Sequence, residues 1–135
     1  MAVAAGLACL AAPLASQAAT TAYPTAPFDV RYGNTYAVGT VTFFNRGVAT
    51  DGTVKSVSLT DCRFIRVQAL NPAGHQLSPD SVDDSNIACE GSVLATTNLP
   101  ADVIGGAASV RVSLMAVDLH SGVEKFLVSQ RVFPS

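Results

Sequence analysis

The sequence contains no tryptophan, only two histidines and only 13% charged residues. Each shortage removes a class of function. Eight lysines and arginines against ten acids give a formal charge of −2. That leaves no basic face to neutralise phosphates, so nucleic acid is not expected as a partner. An anionic membrane surface is disfavoured for the same reason. Two isolated histidines and one cysteine pair do not make a zinc set. No Gly-x-Ser-x-Gly elbow occurs, and Gly105-Gly106 does not open a helix as a phosphate loop would. Nothing separates Glu90, Glu124 or any aspartate from ordinary surface charge, as a glycosidase pair would require. Asp80, Asp83 and Asp84 lack the alternate spacing of a calcium loop. The chain is expected to be non-enzymatic, with no catalytic residue, metal or cofactor.

Charge is also missing from residues 1–18, which are almost entirely Ala, Leu, Val and Gly. The run is short for a membrane span, which needs roughly 20 strongly apolar residues. It has the apolar core of a secretory signal, and Ser16-Gln17-Ala18 offers a small-x-small cleavage site before Ala19. The basic start usual for such signals is absent. Secretion is the expectation, with residues 1–18 as signal peptide. Cys9 leaves with the signal, so Cys62 and Cys89 remain, and two cysteines in an exported domain read as one disulfide. The competing reading is two buried free thiols. A bridge of that loop length would stabilise a small domain by roughly 3–4 kcal/mol on the chain-entropy model.

What the sequence does contain is strand material. Thr, Val, Tyr and Phe crowd residues 35–46, suiting a pleated, half-buried surface. The parity of the apolar positions changes around Gly39, which suggests a bulge or bend there. Turns are expected at Gly33-Asn34, Asp51-Gly52, residues 71–74 and residues 119–122. Residues 109–118 alternate most cleanly, with Val110, Val112, Leu114 and Ala116 facing one way. Residues 75–86 are polar, broken by Pro79, and read as an exposed loop. About seven strands without a helix make an all-β fold, a two-sheet antiparallel sandwich of immunoglobulin-like architecture with one disulfide. A small barrel is the runner-up. The expected organisation is an extended segment over 19–27 and the sandwich over 28–135.

Two places stand out for meeting a partner. Pro24 and Pro27 keep residues 19–27 extended, and Tyr23, Pro24, Thr25, Pro27 and Phe28 are the candidate partner-binding residues, acting by strand addition. The loop over 75–86 could instead present itself to an extracellular hydrolase, as inhibitors do. A carbohydrate site is a third reading, resting on Tyr23, Tyr32, Tyr36 and the adjacent Phe43 and Phe44, one of which must face away from the other.

The run from Tyr32 to Arg46 (YGNTYAVGTVTFFNR), with Asp61-Cys62-Arg63 and the stretch from Pro100 to Ala108 (PADVIGGAA), resembles small secreted β-sandwich proteins of actinobacteria. Within that group the chain is similar to the adaptor subunit of secreted umbrella-shaped toxin particles. That resemblance implies an extracellular complex in which an adaptor joins a lectin-like subunit to a large toxin. It also implies docking through an extended amino-terminal segment.

Overall fold

The computed structural model describes residues 23–77 and 86–135. The expected signal peptide, residues 19–22, and most of the 75–86 loop with its three aspartates lie outside the described residues. Seven strands follow in chain order: β1 (Thr25–Tyr32), β2 (Thr35–Phe44), β3 (Gly47–Ser56), β4 (Asp61–Leu70), β5 (Gly91–Pro100), β6 (Ser109–Asp118) and β7 (Glu124–Val132). They form two antiparallel sheets, β1-β2-β3-β5 and β4-β6-β7. The described residues contain no α-helix. The two-sheet sandwich is therefore as the alternation of apolar residues implied.

Its connectivity is its own. Immunoglobulin constant domains, lettered along the chain, place strands A, B, E and D in one sheet and C, F and G in the other. Here the third strand joins the first sheet by a hairpin from the second, and the fourth crosses over, giving A, B, C, E and D, F, G.

Ala26, Phe28 and Val30 of β1, Ala37, Val41 and Phe43 of β2, and Val48 and Val54 of β3 face the second sheet. They meet Ile65, Val67 and Ala69 of β4 and Val110, Val112 and Leu114 of β6. One cross-strand row organises this interface. Phe28 stands opposite Gly39, Gly39 opposite Gly52, and Gly52 opposite Ala95. Phe28 is 2% exposed, and the tip of its ring lies against Gly39. A Cβ on Gly39 would press into the Asp51 carbonyl and come within 2.6 Å of Gly52 Cα and 2.9 Å of Phe28 Cζ.

That row accounts for two departures from the sequence reading. No bulge occurs at Gly39, because the register of β2 runs unbroken against both neighbours. The apparent change of parity is an inward position left bare for an aromatic ring from the next strand. Asp51-Gly52 is not a turn either; it sits in the middle of β3, and the chain reverses at Asn45 and Arg46 instead. The sandwich begins at Thr25 rather than Phe28, since Ala26 already faces the core.

Cys62 and Cys89 are joined by a disulfide with their Cα atoms 4.4 Å apart. Arg63 exchanges both backbone bonds with Ala88 at 2.8 Å, so the two cysteines occupy the adjacent non-hydrogen-bonded position, whose close Cα spacing suits a bridge. The bond pins residue 89 to the second sheet just before the chain crosses to the first. Glu90, at φ 54°, makes that turn in the left-handed region.

Removing the ring that packs on Gly39 should be severe. Phe28→Ala is expected to destabilise the fold by about 3–5 kcal/mol in urea unfolding. Pro27→Ala, whose side chain is exposed, should change stability by no more than about 1 kcal/mol.

Candidate functional site

The histidines are far apart. His120 lies on the turn after Asp118, which pairs with Asp61 at the start of β4, whereas His75 follows the far end of that strand. Asp118, His120 and Ser121 do come together, but through the backbone. Asp118 Oδ1 accepts the N–H groups of His120 and Ser121 at 2.8 Å, and the Ser121 hydroxyl accepts the Val123 N–H at 3.2 Å. This is a turn held by its own side chains, not a nucleophile and base. The N–H bonds from Ser121 and then His120 hold the Asp118 carboxyl below its ordinary value. Among the described residues no three or more His, Cys, Asp and Glu side chains group as a metal site.

Beside this turn lies an open cavity of about 400 Å³, lined by Asp61, Ala116, Asp118, Ser121, Val123 and Lys125. Arg63 is buried nearby, between the small side chains of Ala88 and Ala116 on its two neighbours. Its Nη1 is 3.8 Å from Asp61 Oδ2, too long for a hydrogen bond. A second, shallower groove of about 380 Å³ crosses the outer face of β4-β6-β7, with Met115 and Ser113 beside Arg111, Phe126 and Ser129. The Phe126 ring is exposed there.

The five residues singled out for partner binding divide into three groups. Phe28 is core. Pro24 is held by the Phe43 N–H on its carbonyl at 2.9 Å. Tyr23, Thr25 and Pro27 are exposed. The segment from Thr25 is thus not free, as a strand awaiting capture would be; it is paired along its whole length with β2. The bond to Pro24 also sets the phase of the ladder, so Ala26, Phe28 and Val30 bond to β2 while Thr25, Pro27, Asp29 and Arg31 turn their backbone groups outward.

That outward edge is largely closed. The Thr25 carbonyl accepts the Ser135 hydroxyl, Pro27 has no N–H to offer, and the Asp29 N–H donates to Gln130 Oε1 at 2.8 Å. Proline is tolerated at an edge position for this reason.

What remains accessible is the end of the sandwich where β1 begins. Tyr23 packs edge-to-face on Phe44 with ring centroids 4.9 Å apart. Phe43, the neighbour of Phe44, is core, which resolves the question of which ring faces outward. Arg46 and Asp102 form an ion pair at 2.6 Å, and the Ala101 N–H reaches the Arg46 carbonyl at 3.0 Å. These bonds draw the connection after β5 alongside the β2-β3 turn. Gly106, at φ 72°, lies so close to the Phe44 and Asn45 carbonyls that a Cβ would fall 2.7 Å from each. The tight turn ahead of it lifts Val103 and Ile104 into solvent, Ile104 at 93% exposure. Sequence reasoning missed Ile104. The available signal was a Val-Ile pair directly before two glycines, where a turn leaves no face to bury them.

Tyr36, considered for a sugar platform, is half-buried on the outer face, with Arg31 4.9 Å and Lys55 6.0 Å from its ring centroid. No known family model matches the chain, and no curated protein matches it in sequence.

A carboxyl held below its ordinary value stabilises the fold above the usual carboxylate range and loses that contribution as pH falls through the lowered value. In a side-chain NMR titration, Asp118 should therefore titrate below the ordinary aspartate value. The His120 and Ser121 amide shifts should follow the same transition, and Asp118→Ala should remove it.

Proposed function

We propose that the protein is a non-enzymatic secreted binding module, an adaptor that meets another secreted protein at the amino-terminal end of its sandwich. The observation that carries this reading is the set of exposed apolar residues at this end, the Tyr23–Phe44 ring pair and Val103 and Ile104 on the adjoining turn. An isoleucine left almost wholly in water on a turn pinned by an ion pair and a backbone bond is a preorganised knob for a partner's pocket. Pro24, Thr25 and Pro27 continue the surface along β1, and Phe28 contributes by anchoring that strand rather than by touching the partner. Strand capture of residues 25–28 would first have to strip Phe28 from the core, so engagement by side chains on a fixed strand is favoured. The resemblance to toxin-particle adaptors supplies the partner class, a large toxin or lectin-like subunit of an extracellular complex. The disulfide fits an oxidising compartment. No helix among the described residues is long and apolar enough to cross a membrane.

A second reading has one observation behind it. The groove floored by Met115 with the exposed Phe126 ring at its side has the size and aromatic wall of a small-ligand or sugar site. A glycan array with Phe126→Ala as control distinguishes it.

The adaptor reading is tested by recovery from culture medium. The intact protein and a form starting at Tyr23 should be compared with Tyr23→Ser and Ile104→Asp. Loss of a co-secreted partner in the two point variants, with their fold intact, is the expected result. A partner retained equally by both would place the interface elsewhere.

A further inference from the structure

The arginines of the surface fall into two kinds. Arg31, Arg46 and Arg66 each hold a carboxylate, at 2.8, 2.6 and 2.5 Å. Arg111 and Arg131 hold none among the described residues, although they stand directly opposite one another in the β6-β7 pairing. Arg131 donates through Nε to Ser109 Oγ at 2.8 Å and lies 5.2 Å from the Phe133 ring centroid, and both partners are uncharged. Arg111 has one long bond, from Nη1 to Gln68 Oε1 at 3.4 Å. Like charges on directly opposed positions destabilise a strand pair. An anion between these two would relieve that repulsion.

The rows beside the pair continue along the outer face of the second sheet. Ser113 stands opposite Ser129, and beyond them Met115 stands opposite Phe126. With Arg111, these four line the groove of about 380 Å³. Small serines leave the hollow, Met115 closes its floor at 5% exposure, and Phe126 stands 57% exposed at its side. Neither serine hydroxyl is engaged by another described residue. Leu77 and Ala88, on the connection after β4, bond to the other edge of that strand, so β4 separates them from these rows.

Guanidinium, hydroxyl and ring thus follow one another along the face, and about 13 Å of strand separates Arg111 from Met115. That order matches a short chain of sugar rings bearing a carboxylate. Paired arginines suit a carboxylate, hydroxyls exchange hydrogen bonds with ring hydroxyls, and an exposed aromatic face receives an apolar ring face. An extended peptide fits less well. β6 is the central strand, paired on both sides, and offers no backbone groups for strand addition.

We propose that this groove binds an acidic saccharide, a glycan carrying a uronic or sialic acid carboxylate. Arg111 and Arg131 take the acid, Ser113 and Ser129 the ring hydroxyls, and Phe126 stacks on a neighbouring ring. The proposal rests on the sugar-site reading of the same groove and adds the acid to it. It does not depend on what the amino-terminal end meets.

A glycan array of neutral, uronate-bearing, sialylated and sulfated glycans, probed with the full disulfide-bonded chain, tests this first. Retention of carboxylated glycans over neutral ones is the expected result. Calorimetric titration then compares a retained acidic glycan with its methyl ester, which keeps the ring and removes the charge. The ester should bind at least about tenfold more weakly. Arg111→Gln should weaken the acid by a similar factor and leave the ester unchanged, whereas Phe126→Ala should weaken both. The ester comparison uses the native chain, so it stands even where a variant fails to fold. Equal affinity for acid and ester, or retention of neutral or sulfated glycans alone, overturns the carboxylate and leaves the sugar reading. An array that retains nothing overturns both.

Discussion

The packing of one aromatic ring against a bare strand glycine decides most of this molecule. Phe28 stands opposite Gly39 and the tip of its ring reaches that residue, where a side chain would leave it no room. An apolar ring excluded from water contributes about 1.5–3 kcal/mol relative to exposure, and bare strand glycines otherwise weaken a sheet by packing nothing. Each partner therefore makes the other tolerable. The consequence for topology is that β1 belongs to the sheet, as an edge strand locked through its side chains.

From that lock follows the character of the amino-terminal end. The outward backbone groups of β1 are closed by proline and by side chains from the β7 side, so the end of the strand offers side chains rather than hydrogen bonds. The ion pair of Arg46 with Asp102 and the close seat of Gly106 hold the adjoining turn in place. The apolar surface around Tyr23 and Ile104 is thus displayed by rigid elements, and a partner would lose little entropy in ordering it.

The residues differ in how far they could be read in advance. Alternation in β6, strand composition in β2 and the cysteine count carried the sandwich and its disulfide, because these are local or compositional properties. Asp51-Gly52 and Gly39 misled for one shared reason. A glycine that turns the chain and a glycine that stays bare inside a strand look alike in sequence; only the register separates them. Pro27 was informative but incompletely so. It marked an extended segment, while its lack of an N–H meant an edge position within the sheet rather than a strand outside it. Ile104 was overlooked because a single apolar residue on a turn has no periodicity to reveal it. The strand order was not legible at all, since crossing between sheets depends on how connections pack and not on any one strand's pattern.

Amide hydrogen exchange across β1 tests the central claim most directly. If Phe28 locks the strand into the sheet, the amides of Ala26, Phe28 and Val30 exchange as slowly as those of β2. The outward-facing Arg31 amide exchanges faster. Exchange of Phe28 and Val30 at the rate of an unfolded chain, while β2 and β3 stay protected, would contradict the account and return β1 to the status of a free strand awaiting a partner.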